Sequence, residues 1–257
     1  MFQRSSAPAI WWTSGAGKTL ASVEQPVPLK PLCVEEGDTG TEVGQLPKVI
    51  KIRLADSDGH RKSASFLVQR RYAWRGYKTS GVPANAPDRI TLSASDRDQI
   101  IATISVGLDS AKGMFVDKLY RPEIDRIREQ NRKVCEFTKL AVESSIRSKT
   151  VLATLFHIAF IYARRIHGCS DLVVEVNPRH VIFYERMLGF REMGAERVDP
   201  RVRAPAVLLH LDLDHAQRQI AELGGHMELI TVTRSLYPYF FSPREEAGIE
   251  LRLRMLG

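Results

Sequence analysis

The sequence has 257 residues, enough for one large domain with extensions or for two small domains. Apolar residues make up 44% and charged residues 26%, proportions that are typical of a soluble globular protein. The formal net charge of +7 favours an acidic partner. No basic–aromatic interleaving or finger motif indicates nucleic-acid binding, so we expect no nucleic-acid partner.

The apolar and cysteine patterns narrow the class of protein further. The longest apolar run, VLATLFHIAFIYA at 151–163, is too short to span a bilayer and predicts a buried helix. The N-terminus lacks a sustained apolar segment, so no secretory signal is predicted. Cys33, Cys135 and Cys169 form no CxxC pair, which indicates reduced thiols and no zinc site. We therefore expect a cytoplasmic protein with no membrane span and no bound metal.

The N-terminal part has a different composition from the rest. Residues 1–46 are rich in Pro, Gly, Ser and Thr and show little periodicity, so we predict a partly disordered extension. SGAGKTL at 14–20 is close to a phosphate-binding loop, but that motif requires Gly at position 12, where the sequence has Trp12. We therefore predict no nucleotide site in this segment.

From residue 48 onward, hydrophobic periodicity predicts a succession of strands and helices. In chain order these are a strand at 48–55, a basic helix at 61–77, hairpin strands at 88–98 and 99–110, a polar helix at 121–131, a strand at 133–144, a long apolar helix at 149–167, a strand at 171–177, a short helix at 179–188, strands near 190–196 and 206–213, and a helix at 214–225.

This order predicts an α/β fold with a central mixed, twisted sheet flanked by helices. The strand–helix–strand crossover from 133 to 177 predicts one parallel strand pair with a right-handed connection. We assign residues 47–214 to a single domain and residues 215–257 to a C-terminal helix and tail that pack on it.

One stretch, EVNPRHVIFYERMLGF at 175–190, places an Asn-Pro cap, a Tyr and a Gly-Phe ending directly after a buried strand. Together with the order of elements, it resembles the GNAT acyltransferase fold. The segments at 107–144 and 235–243 (SLYPYFFSP) are similar to a narrower branch, the long-chain N-acyl amino acid synthases, which are relatives of the acyl-homoserine-lactone (autoinducer) synthases. The resemblance covers 48–215 and, less fully, the tail.

The resemblance implies an N-acyltransferase that moves a fatty acyl group from the phosphopantetheine thioester of an acyl carrier protein to the α-amine of an amino acid. No permanently bound cofactor is implied. In the GNAT fold, the strand ending at Asn177 diverges from its neighbour, and the gap admits the pantetheine arm. Asn177 is expected to cap the next helix, Phe183 and Tyr184 to line the cleft, and Gly189 to end the helix in a left-handed conformation.

EFTK at 136–139 matches the E-x-[ST]-[RK] pattern of the autoinducer synthases, which implies Glu136 as the catalytic base with Lys139 beside it. Burial in the apolar run around it would raise the pKa of a Glu enough for this task. Strict alternation puts Glu136 and Lys139 on opposite faces, so they converge only if a bulge interrupts the strand. The resemblance implies such a bulge, with a backbone N–H near Ala141 or Val142 binding the thioester oxygen. A structural Glu136–Lys139 ion pair is the alternative.

The donor and the acceptor have candidate binding residues as well. Acetyl-CoA-using members carry a glycine-rich loop before the long helix, whereas this chain has SSIRSKT at 144–150. Arg147 and Lys149 could meet the single phosphate of a carrier-bound arm, or they are solvated charges. Arg70 or Arg71 could hold the acceptor carboxylate, or belong to a solvated helix face. A CoA-dependent GNAT N-acetyltransferase and a non-catalytic GNAT-like binding module stay open as alternative functions.

Overall fold

The computed structural model describes residues 19–25, 48–77, 79–144, 146 and 148–255. Within them, eight strands form one sheet: β1 (Thr19–Gln25), β2 (Lys48–Leu54), β3 (Arg89–Asp96), β4 (Gln99–Leu108), β5 (Val134–Val142), β6 (Asp171–Val176), β7 (Arg191–Asp199) and β8 (Ala204–Asp212). The described helices are α1 (Asp58–Ala73), α2 (Asp117–Arg128), α3 (Lys149–Phe160), α4 (Val181–Leu188), α5 (Leu213–Leu223) and α6 (Pro243–Arg254). Helix α3 continues as a π-helical segment, Ile161–Ile166, and 3₁₀ turns cover Pro178–His180, Met227–Thr231 and Tyr237–Tyr239.

The strand order in the sheet is β1-β2-β3-β4-β5-β6-β8-β7. The β5–β6 pair is parallel and the other neighbouring pairs are antiparallel, which confirms the predicted mixed sheet and its crossover through α3. The parallel ladder is short, running only from the pair Val134–Asp171 to the pair Glu136–Val173. Both strands continue past it, so a gap opens between their carboxyl ends.

Helices cover both faces of the sheet. Val173 packs in a cluster around α2, whereas Leu172 and Val174 belong to the larger core that contains α3. Because side chains alternate along a strand, Glu175 lies on the same face as Val173, toward α2. Glu136 lies on this face too, since it contacts the residues that precede α2. The two carboxylates therefore share the face that carries α2.

The predicted extension 1–46 contains a strand that the sequence pattern did not indicate. Within β1, Leu20 and Ala21 are fully buried, and the strand pairs with β2 at the edge of the sheet. Arg252 of α6 donates from Nε to the Leu20 carbonyl at 3.0 Å. The strand depends on this long-range packing, which local composition does not reveal. The rest of 1–46, including most of the SGAGKTL motif, lies outside the described residues.

Several helix boundaries also differ from the prediction. Helix α1 begins at Asp58 because the Ser57 side chain caps it by accepting from the His60 N–H. Helix α2 begins at Asp117, with a kink at Tyr120 that leaves Pro122 in the first turn of its second part. Helix α6, which was not predicted, begins with a capping box between Ser242 and Glu245.

Candidate active site

The gap between β5 and β6 is the cleft of this fold. Beyond Glu136, the edge of β5 that faces β6 carries backbone groups that the parallel ladder does not pair. Glu143, just past β5, donates its N–H to the Ile101 carbonyl, and Ala141 is in register with Thr103. Alternation then points the Val142 N–H away from β4, into the gap. Of the two amides predicted to bind a thioester oxygen, Val142 has the suitable direction.

A bulge interrupts β5 just past Glu136, as the family resemblance implied. Against the single residue Ile104 of β4, β5 places two residues, Lys139 and Leu140. Lys139 has a φ of 52°, in the left-handed region that non-glycine residues rarely adopt. Its carbonyl accepts a hydrogen bond of 2.9 Å from Thr103 Oγ1, which holds this conformation. The predicted bulge is confirmed.

The Lys139 side chain points to α1 and the loop that follows it. Its ammonium donates to Thr79 Oγ1 and lies 5.9 Å from the centre of the Tyr72 ring. Burial, and then the positive charge of Arg201, lower the pKa of Lys139. Among the described residues no ion pair joins Lys139 to Glu136, so the structural ion pair considered above does not form.

Glu136 caps the N-terminus of α2. The side chain is 1% exposed, and its two oxygens accept from the N–H groups of Phe115 at 2.9 Å and Val116 at 3.0 Å. Burial raises the pKa of Glu136, while these two hydrogen bonds and the charge of Arg89 oppose the rise. An anion at a helix N-terminus is favourable, so the capping role is sufficient to explain this carboxylate. Its assignment as the catalytic base stays a prediction.

A second carboxylate, Glu175, lies two residues beyond Val173, the last residue of β6 that pairs with β5. Arg201 donates from Nη2 to Glu175 Oε1 at 2.7 Å and from Nε to both oxygens of Asp199, at 2.8 and 3.0 Å. Glu175 Oε2 is buried, and no N–H or hydroxyl group of the described residues donates to it. When Glu175 is protonated, its carboxyl group hydrogen-bonds to the Asp199 carboxylate. Burial raises the pKa of Glu175 to about 7, the Asp199 carboxylate adds to the rise, and Arg201 opposes it.

Aromatic and amide groups close the cleft near Glu175. Burial and then the charge of Glu175 raise the pKa of Tyr72 to about 12. Asn177 accepts from the Arg179 N–H at 3.3 Å, which confirms its predicted role as a helix cap. The amide of Asn177 also donates to the Tyr77 hydroxyl at 3.1 Å and to the Pro205 carbonyl at 3.2 Å. The cap thus links β6 to the segment after α1.

The opposite side of the sheet is apolar at this point. Phe183 is partly buried and Tyr184 is 7% exposed, with its ring edge against Phe156 and Phe190. Gly189 ends α4 with a φ of 80°, as predicted. Burial raises the pKa of Tyr184. A small cavity of about 20 Å³ lies in this layer, and it is lined by Phe137, Phe156, Phe160, Leu172, Leu188, Phe190, Leu211, Leu213, Ala216, Ile220, Tyr237 and Phe240.

The structure describes three of the four predicted basic residues, Arg70, Arg71 and Lys149, and each lies against a neighbouring side chain. Arg70 forms an ion pair with Glu143 just past the end of β5, and Arg71 lies over the exposed ring of Trp74. Lys149 is the first residue of α3, exposed, with its ammonium 6.0 Å from the centre of the Tyr239 ring. Arg147 lies outside the described residues. Whether any of these residues binds substrate stays a prediction.

Sequence reasoning missed Glu175, Asp199 and Arg201 as a group. A signal for Glu175 is present, because VVEVN places one acidic residue in an otherwise apolar strand that runs toward the cleft. Nothing local to Asp199 or Arg201 indicates that the turn after β7 folds back against β6.

Comparisons with known proteins agree with this geometry. A family model described as N-acyl amino acid synthase FeeM matches residues 63–212, more than half of the chain. Among solved structures, FeeM, an N-acyl amino acid synthase from uncultured soil microbes, is 24% identical with a TM-score of 0.60, covering 66% of this chain and 95% of that one. Escherichia coli ElaA is 10% identical with a TM-score of 0.48, covering 63% of this chain and 99% of that one. MesI, a CoA-dependent acyl-homoserine lactone synthase, is 16% identical with a TM-score of 0.43, covering 65% of this chain and 93% of that one. A search of the curated proteins found no match.

The mixed sheet with its divergent parallel pair and flanking helices is the GNAT acyltransferase fold. The chain belongs to the N-acyl amino acid synthase FeeM family, which makes it an N-acyltransferase. Across the described ranges, no helix is long and apolar enough to cross a bilayer. In the same ranges, no three His, Cys, Asp or Glu side chains are grouped to hold a metal ion.

Proposed function

We propose that this protein transfers a fatty acyl group from the phosphopantetheine thioester of an acyl carrier protein to the α-amine of an amino acid. The observation that carries the proposal is the gap between β5 and β6, with the bulge at Lys139 and the Val142 N–H directed into it. Such a gap accommodates an extended arm, and a fixed N–H at its edge can stabilise the oxyanion that forms when an amine attacks a thioester. No permanently bound cofactor is needed for this chemistry.

The apolar layer behind β5 supports a fatty rather than an acetyl donor. Apart from the Tyr237 hydroxyl, the cavity there is lined by apolar groups, and its volume of about 20 Å³ equals roughly one water-sized probe. An acyl chain that displaces these side chains gains about 0.8 kcal/mol for each methylene buried. Phe137 on β5 and Phe156 on α3 both line this cavity, with their ring centres 6.3 Å apart. An apolar lining of this kind supports a fatty acyl chain as the transferred group.

The start of α3 supports a carrier-protein donor. Ser148 caps the helix by accepting from the Val151 N–H at 3.4 Å, and Lys149 follows in the first turn. A helix N-terminus binds a phosphate, and this one lacks the glycines that would bring the backbone close to a pyrophosphate. The net charge of +7 suits an acidic carrier protein. We also propose a cytoplasmic location, which the free thiols of Cys135 and Cys169 support.

Donor competition tests the proposal. The purified protein would be given a long-chain acyl carrier protein, acetyl-CoA and a mixture of amino acids, with products identified by mass spectrometry. We expect N-acyl amino acids made from the carrier-bound chain. Faster use of acetyl-CoA would instead indicate a CoA-dependent N-acetyltransferase, and no product from any thioester would indicate a non-catalytic binding module. Lipid extracts from overexpressing cells would show which amino acid and chain length are used.

A further inference from the structure

We propose that Glu175, at the cleft end of β6, is the catalytic base that takes the proton from the α-ammonium of the acceptor. This inference rests on the proposed function and assigns a role that the sequence motif gave to Glu136. Both carboxylates lie on the sheet face toward α2, but they stand at different points relative to the gap. Glu136 is at the last rung of the β5–β6 ladder, whereas Glu175 lies beyond it.

Hydrogen bonding distinguishes the two carboxylates. Both oxygens of Glu136 accept backbone N–H groups, and these two bonds hold the carboxylate against the residues that precede α2. Glu175 has one oxygen held by Arg201 and one buried oxygen to which no N–H or hydroxyl group of the described residues donates. In its protonated form Glu175 hydrogen-bonds to the Asp199 carboxylate, so the neighbouring group can hold the proton that Glu175 accepts. A buried carboxylate oxygen without a donor is costly, and an ammonium group would satisfy it. Arg201 acts as a positioning residue, since it fixes the other oxygen.

The environment also gives Glu175 a suitable proton affinity. Burial and the neighbouring Asp199 carboxylate raise its pKa to about 7, and the pKa of Asp199 itself is lowered by its hydrogen bonds to Arg201. Two adjacent carboxylates whose pKa values diverge in this way divide the roles of proton acceptor and permanent anion. A base with a pKa near neutrality can accept a proton at physiological pH and release it again to solvent.

The reaction begins with a proton transfer from the acceptor to Glu175. One proton of the acceptor's ammonium moves to Glu175 Oε2, which leaves a neutral amine. The nitrogen lone pair attacks the thioester carbon, forming the C–N bond and an oxyanion. Collapse of the oxyanion breaks the C–S bond, and the departing thiolate takes a second proton from the nitrogen. The products are the amide and the free thiol, and Glu175 returns its proton to water.

Other titratable and charged groups face Glu175 from several elements. They are Tyr72 on α1, Tyr120 on α2, and Asp199 and Arg201 at and after the end of β7. Burial raises the pKa of Tyr72 and of Tyr120 to about 12, so both stay protonated when Glu175 titrates. Asp199 stays ionised, because its pKa is lowered. Glu175 is therefore the group in this set that titrates near neutral pH.

The experiment compares Glu175→Gln with Glu136→Gln and with Glu196→Gln, an exposed control on β7. The side-chain amide that Glu175→Gln introduces keeps an oxygen that can accept from Arg201, so we expect a folded protein. We expect kcat to fall by about a hundredfold or more in Glu175→Gln, as for loss of a general base. The wild-type rate should fall below about pH 7, and this acidic limb should be missing in the residual activity of Glu175→Gln. Glu196→Gln should keep both the rate and the limb.

The outcomes separate the inference from the proposed function. A Glu175→Gln protein with normal kcat, or a larger loss of kcat in a folded Glu136→Gln protein, would overturn the role of Glu175. Use of acyl-CoA instead of the acyl carrier protein would overturn only the donor, because the ratios between variants can be measured with either thioester. A wild-type protein inactive with every thioester would contradict the proposed function, and the role of Glu175 with it.

Discussion

Gly107 and Glu136 face each other across β4 and β5, and the Glu136 carboxylate occupies the space that a side chain at position 107 would need. A β-carbon on Gly107 would lie 2.9 Å from Glu136 Oε1 and 3.0 Å from its Cγ. The missing side chain at 107 therefore allows the carboxylate to reach the N-terminus of α2. The hydrogen bonds that cap α2 therefore depend on the glycine at position 107.

Gly107→Ala should destabilise the protein. The added methyl group pushes the carboxylate away from the N–H groups of Phe115 and Val116, at a cost of about 1–3 kcal/mol in the free energy of unfolding. Denaturant titration would measure this cost. Gly59→Ala in α1 is the matched control, because its β-carbon meets nothing within 4 Å and should be neutral or slightly stabilising. Equal stability of the two variants would show that the close approach is not important.

Glu175→Gln should change how stability depends on pH. The folded pKa of Glu175, about 7, lies above its ordinary value of 4.5. Its stabilising contribution is therefore fully present below about pH 4.5 and is lost as the pH rises through about 7. Relative to the variant, the wild type should lose up to about 3 kcal/mol of unfolding free energy across this window, since one pKa unit corresponds to about 1.4 kcal/mol. Unfolding curves at several pH values would measure it, and a constant difference would contradict the raised pKa.

His157 should hold α6 and the tail against α3. The side chain is fully buried, its Nδ1 accepts from the Phe241 N–H at 2.9 Å, and its Nε2–H donates to Glu246 at 3.3 Å. Replacing it by Leu removes both hydrogen bonds, so we expect a loss of about 3 kcal/mol. Hydrogen exchange should then show early opening of α6. His226→Leu, at an exposed site, is the control and should change stability by less than about 0.5 kcal/mol.

The outer face of α1 should contribute to docking of the acyl carrier protein. Phe66 and Trp74 are 63% and 68% exposed, Arg70 lies between them in the sequence, and the Arg75 guanidinium lies 4.4 Å from the Trp74 ring centre. Arg75→Glu should raise the KM for the acyl carrier protein about five- to tenfold at low salt, with little change in kcat. High salt should reduce the difference, because exposed charges are screened.

Arg244→Glu on α6 changes the net charge by the same amount at a distant exposed position and serves as the control. If both substitutions raise the KM equally, the attraction is a property of the overall charge. If neither does, α1 is not the docking surface.

Local signals in the sequence were sufficient to predict much of the fold. The hairpin of β3 and β4, the apolar helix α3 and the parallel crossover follow from periodicity and connection length. As predicted, Asn177 caps the turn that leads into α4 and Gly189 ends α4, because capping and a left-handed φ depend on neighbours only a few residues away. The bulge in β5 was implied by the resemblance to the GNAT fold.

The tertiary structure decided what the two carboxylates can do. The partners of Glu136 lie about 20 residues earlier in the chain, and Arg201 lies 26 residues after Glu175. Both glutamates occur in apolar strands, so sequence context predicts burial for each. It cannot distinguish a carboxylate that accepts two backbone N–H groups from one that lies beside a second carboxylate. That difference arises only when α2 and the turn after β7 pack against the sheet, because hydrogen bonding and desolvation depend on atoms that are distant in sequence and adjacent in space.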